Sequence, residues 1–182
     1  MISTEESTLD AWRINDRVTT FLVQNIPPAI WASGLPASPR RTVRGIAAHL
    51  HNSRCLWMHS LAAGTVVPIP NRVDPLVVTR RDLVRALNAS GRAVLLMLEA
   101  GQSAGGLFPG VSSAFVYGAM PRNVVLFTGY AVSHEAHHRG QLLLMARELG
   151  HRLPSKVVVG LWQWSSRLKE SRSKRTAGAK GV

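Results

Sequence analysis

The sequence predicts an all-α protein, a four-helix bundle followed by a short C-terminal helix. Three observations carry this. Apolar residues recur at helical spacing along most of the chain, strand signals are weak, and helix-starting or helix-stopping residues separate the periodic segments. The chain has 182 residues, 46% of them hydrophobic and 18% charged. That is the length of one domain with ample material for a core, which excludes disorder throughout.

Ser3-x-x-Glu6 is a capping box that opens a first helix running to about Asn25, with Ala11, Ile14, Val18, Phe21 and Leu22 along one side. Pro27 and Pro28 end it, and residues 26–41, rich in proline, serine and glycine, read as a loop. A second helix spans about Thr42 to Ala63, carries Val43, Ile46, Leu50, Trp57 and Leu61 on one stripe, and closes at Gly64. Residues 64–78 hold three prolines and read as an extended connection. Such a segment covers roughly 45–50 Å, against ~30 Å for a 20-residue helix, so it permits a crossover. A third helix starts at Thr79 and stops at Gly101. Residues 101–122 are glycine- and serine-rich, with a short strand allowed around Phe115–Tyr117. A fourth helix runs from about Asn123 to Leu149, and a fifth from Pro154 and Ser155 presents Val157, Leu161, Trp164 and Leu168. The bundle is expected over 1–165 and a basic, flexible tail over 166–182.

The formal net charge is +12. Six basic residues against Glu170 fall after Ser165, and the rest of the excess is spread thinly. No apolar run reaches the ~18 residues of a membrane span, and the polar, acidic N-terminus is unlike a signal peptide. Cys55, the single cysteine, cannot form an internal disulfide. The expectation is a cytoplasmic protein without a membrane partner.

The histidines carry the chemistry. At ~100° per residue, with Phe127 as zero, His134 and His138 fall about 20° to either side of the apolar line and His137 roughly 80° away. Two imidazoles one turn apart in a buried stripe are costly unless something satisfies their nitrogens, and i, i+4 spacing lets both reach one ion. The bland reading gives each ring a carbonyl, hydroxyl or water. With Ile46 as zero, His49 lies about 60° away and His51 roughly 140° round on the opposite face. His49 is therefore the preferred third ligand and His51 an exposed or edge residue. His59 and His151 read as surface, and Cys55, about 180° from Ile46, is not counted as a ligand. Three neutral imidazoles leave open positions, as catalytic centres do. Zinc and nickel both suit such a ligand set.

RTVRGIAAHLHNSRCLWM (41–58), with its tryptophan eight residues after His49, precedes HEAHHRGQLLLMARELGHRLP (134–154) and then Leu161, Trp162 and Trp164. Over residues 9–165 this resembles the DinB family of metalloenzymes, for which the H-x-x-x-H-R-G-Q box is specific. The resemblance implies an up-down-down-up four-helix bundle with a crossover between helices two and three. It implies a divalent metal on His49, His134 and His138, a homodimer, and hydrolase or small-thiol transferase chemistry on a small-molecule substrate. Gln141, near the inward stripe, suits a contact to a ligand or to the substrate. Arg139, about 120° off, suits a bundle-edge or dimer contact as well as a role at the metal, and Gly140 suits close approach of a neighbouring helix.

Other classes compete. HEAHH satisfies H-E-x-x-H, in which Glu135 would be the general base, but Gln141 and Leu144 break the extended metalloprotease motif. Glu135, roughly 80° off the stripe, is expected at the surface or as a base at the pocket rim. The basic tail allows weak phosphate attraction, yet no nucleic-acid recognition motif is present. A non-catalytic metal-binding bundle or sensor is a third class. Leu107, Phe108, Val116 and Tyr117 either roof a pocket or pack as core.

Overall fold

The computed structural model describes residues 3–62, 65–108 and 120–178. Among them are six helices: α1 (Thr4–Asn25), α2 (Val43–Leu61), α3 (Arg80–Ser103), α4 (Val124–Glu148), α5 (Ser155–Gly160) and α6 (Trp164–Gly178). The start signals read from the sequence are real caps. Ser3 accepts from the Glu6 amide, Thr79 from that of Asp82 and Asn123 from those of Val125 and Leu126. Each satisfies backbone donors that the first helical turn leaves unpaired. The loop expected over 26–41 instead holds a 3-10 turn and a small antiparallel ribbon, β1 (Gly34–Leu35) with β2 (Ser38–Thr42). The possible strand at 115–117, with Val116 and Tyr117, lies outside the described residues.

The four long helices pack on one another around two apolar clusters. One joins Val18 and Leu22, Ile46 and Leu50, Leu83 and Leu87, and Leu142 and Met145. The other joins Leu9 and Trp12, Met58 and Leu61, Met97 and Leu98, and Phe127 and Ala131. Each such side chain removed from water contributes about 1.5–3 kcal/mol. Phe108 is buried in the second cluster, whereas Leu107 is exposed. Between α1 and α3 the backbones come close: Trp12 Nε1 donates to the Gly91 carbonyl at 3.0 Å. A Cβ on Gly91 would lie 2.1 Å from an Asp16 carboxylate oxygen. Gly140, by contrast, has open space where a Cβ would stand, so the close helix approach expected there does not occur.

The fifth helix divides in two. Val157 and Leu161 pack into the first cluster, the chain turns at Trp162, and α6 then runs along α1. Residues 166–178, expected as flexible tail, are therefore helical. Complementary charge explains why the segment is held. Arg17 Nε donates to Glu170 at 2.5 Å, Arg172 pairs with Asp10 at 2.7 Å, and the Arg167 guanidinium lies 4.1 Å above the Phe21 ring. No helix among the described residues is long and apolar enough to cross a membrane.

Candidate metal centre

The facing sides of α2 and α4 carry the histidine cluster. One turn of α2 places His49 beside Ser53, and one turn of α4 places His134 beside His138. Their ring centroids lie 4.5 Å (His49–His138), 4.6 Å (His134–His138) and 5.3 Å (His49–His134) apart. One ligand nitrogen from each ring can be chosen so that all three fall within 4.8 Å of one another. The Nε2 atoms of His49 and His134 are 3.3 Å apart. Zn–N bonds of about 2.0–2.1 Å in tetrahedral array put two ligand nitrogens roughly 3.3–3.4 Å apart, so this spacing suits a shared ion. His134 Nδ1 is buried without a hydrogen-bond partner among the described residues, leaving Nε2 as the ring's one engaged atom.

All three rings are held in the neutral, ligand-competent form. Burial, aided by His138 and His49, pushes the His134 pKa down to about 4. Burial also lowers His49, with help from His138 and Arg41, and it lowers His138 against the opposing Gln141 hydrogen bond. Trp57 packs edge-on to His134 at 5.2 Å and Tyr130 stacks on it at 6.2 Å, walling the inner end of the cluster.

Gln141 sets the His138 tautomer. Arg41 donates to Gln141 Oε1 at 2.9 Å, and because a guanidinium only donates, that amide atom is the oxygen. The same oxygen lies 2.9 Å from His138 Nδ1, which must therefore carry the proton, leaving the Nε2 lone pair for a ligand. The Gln141 amide nitrogen donates to His137 Nε2 at 2.7 Å. Gln141 thus contacts both His138 and His137, the latter exposed beside it.

Four expectations are corrected. Glu135 is neither at the surface nor a base at the pocket rim: it is 0% exposed. Arg54 Nε and Nη2 donate to its two oxygens at 2.6 and 2.9 Å, and Asn15 and Thr19 donate at 2.9 and 2.7 Å. Burial alone would raise its pKa, but Arg54 outweighs that and keeps the carboxylate ionised. Burial works against the Arg54 charge too, and Glu135 and Asp16 together more than offset it. Fully buried and bound by four donors, Glu135 is not placed to serve as the H-E-x-x-H base. Arg139 turns inward to Asn15, Thr19 and Glu135, not outward to an edge.

His51 is the third. It is fully buried, its Nε2 donating to the Asn71 carbonyl at 2.9 Å and its Nδ1 lying 3.0 Å from Ser90 Oγ. Cys55 is buried beside it. His49, expected to face inward, lies on the exposed stripe of α2 with Leu56 and His59. The extended connection covers the side of α2 that the sequence assigns to solvent, through Asn71 and Val73. His59 and His151 are exposed, as read.

Sequence reasoning did not single out Arg54 or Arg41. A buried Arg54 leaves no mark in apolar periodicity. The pair Arg40–Arg41, in a segment otherwise read as a loop, is the sequence signal for an open cleft beside the cluster. Arg40, Arg41 and Thr42 of β2, Gly45, Ile46 and His49 of α2, and His138 of α4 line an open cleft of about 300 Å³.

A helical scaffold that brings three neutral imidazoles from two helices to one point is a protein with a candidate three-histidine metal centre. The chain belongs to the DinB family, whose family model matches residues 1–170. Neither the comparison with curated proteins nor that with solved structures returned a match.

Proposed function

We propose that this protein is a divalent-metal-dependent enzyme of the DinB type, with His49, His134 and His138 as metal ligands. The observation that carries the reading is the convergence of three uncharged imidazoles beside a cleft that opens past His49 and His138. Zinc or nickel suits the imidazole set. The chemistry a bound divalent ion supplies is Lewis-acid activation of water or a thiol and polarisation of a substrate oxygen, which fits a hydrolase or a small-thiol transferase.

The chain's own residues do the remaining work. Gln141 fixes the His138 ring, Trp57 and Tyr130 exclude water from the inner side of the cluster, and the Arg54–Glu135 pair holds α2 and α4 in register. The up-down-down-up order is the topology we infer, supported by the two core clusters. The C-terminal half of α1 shares a cluster with the N-terminal halves of α2 and α3 and the C-terminal half of α4, while the opposite halves share the other. A cytoplasmic homodimer is the assembly we infer. Leu126 and Leu144 on α4, with Trp162 and Trp164, offer exposed apolar surface for a second copy.

Elemental analysis of protein purified without a metal-affinity tag tests the reading. One zinc or nickel per chain is expected, and His49→Ala and His138→Ala should abolish it while helical circular dichroism is unchanged. Undiminished metal in both variants would discard the ligand assignment.

A further inference from the structure

We propose that the cleft beside the histidine cluster takes a small substrate bearing an oxyanion group, a carboxylate or a phosphate, held by Arg41 and Arg40. This rests on the reading of His49, His134 and His138 as the reacting centre and names the substrate class of that centre.

The argument begins with charge. Arg13, Arg17, Arg54, Arg85, Arg139, Arg167 and Arg172 each have a carboxylate partner in the fold. Arg40 and Arg41 have none within ion-pairing distance among the described residues, a lack they share with other arginines of the chain, and they are the two arginines that line the cleft. Arg41 uses one donor on Gln141 Oε1. A guanidinium carries five N–H donors in a planar fork, so most of its capacity faces the cleft unspent. The carboxylate closest in sequence to the cluster, Glu135, is engaged by Arg54 on the adjoining face of α4 and does not line the cleft.

The cleft is therefore lined by two cations, uncharged imidazoles and no acid, and a bound divalent ion would add to its positive potential. A low-charge or cationic substrate gains nothing there, whereas an oxyanion gains charge-assisted hydrogen bonds. At about 300 Å³ the cleft suits a small metabolite, not a polymer. The position of Arg41 is fixed by covalent economy: β2 runs directly into α2, so Arg41 stands eight residues before His49 and on the same lip of the cleft.

The test is calorimetric titration of the full, zinc-loaded chain with succinate, with inorganic phosphate and with the neutral diamide succinamide, at low and high salt. At least one of the two anions should bind and the diamide should not. The double variant Arg40→Ala, Arg41→Ala should weaken anion binding roughly tenfold and flatten its salt dependence, with zinc still at one per chain. Arg41→Lys should recover part of the loss. Anion binding of equal strength in the wild type and the double variant, both zinc-loaded, would overturn the proposal, as would equal binding of the diamide. Repeating the titration on chelator-treated protein separates the two readings. Failure to load zinc sinks the metal centre, while arginine-dependent anion binding there still supports the oxyanion site.

Discussion

Two polar clusters lie side by side between α2 and α4, and they differ in whether their hydrogen-bonding capacity is used up. Arg54 and Glu135 form the closed one, with both side chains 0% exposed and every charge paired through Asp16, Asn15, Thr19 and Arg139. His49, His134 and His138 form the open one, adjacent in sequence to the first yet half-exposed, with a buried nitrogen left over. A satisfied polar cluster spends its interactions on the fold. An unsatisfied one beside a cleft has interactions left for a ligand. The contrast explains why the glutamate of H-E-x-x-H is taken up by the fold while the histidines keep unspent hydrogen-bonding capacity.

The largest effect should come from breaking the closed cluster. Glu135→Ala or Arg54→Ala leaves an unpaired buried charge and is expected to cost about 3–5 kcal/mol of stability by denaturant unfolding. Replacing both at once should cost less than the sum, because no lone charge remains. Additive losses would mean that the two side chains do not act as a pair.

Next in size is the ligand-dependent part of stability. Zinc at 100 times its dissociation constant should stabilise the wild type by about 2.7 kcal/mol, read as a rise in melting temperature. His134→Ala should show no rise. His51→Ala should start from a lower melting temperature, since two buried hydrogen bonds are lost, yet rise as the wild type does. A His51→Ala protein insensitive to zinc would place the ion elsewhere.

Gln141→Ala tests the link between Arg41 and His138. Removing the acceptor that fixes the ring should weaken zinc binding about tenfold in a competition assay, with little change in melting temperature of the metal-free protein. The smallest effect concerns Cys55, whose thiol burial pushes up to about 11. It should resist a thiol reagent at pH 8 in the native state and react once unfolded, and Cys55→Ala should keep the zinc stoichiometry.

Much of the fold was legible from residue spacing. The caps at Ser3, Thr42, Thr79 and Asn123 mark four helix starts, and Pro27 and Gly150 sit just past two helix ends. The i, i+4 pair His134–His138 and the partner His49 were readable too. Burial was not. On the α4 wheel the buried residues extend from Phe127 through Glu135 to Thr128, an arc centred about 50° from the line the apolar residues suggest. Glu135 thus falls inside it and the two histidines at its edge. On α2 the error has the same origin, since that helix is covered by α3, α4 and the connection after it and exposes only a narrow strip containing His49.

The sequence by itself determined the helices, their caps and the histidine spacing, because these depend on local backbone chemistry and on angles within one helix. Tertiary structure decided that Arg54 meets Glu135, that His51 lies under Asn71, that the C-terminal basic segment docks on α1, and that Arg41 reaches Gln141. A periodic pattern fixes where side chains point relative to one another around a helix axis. How many neighbours cover that helix, and which distant charge finds which, is set only when the chain packs.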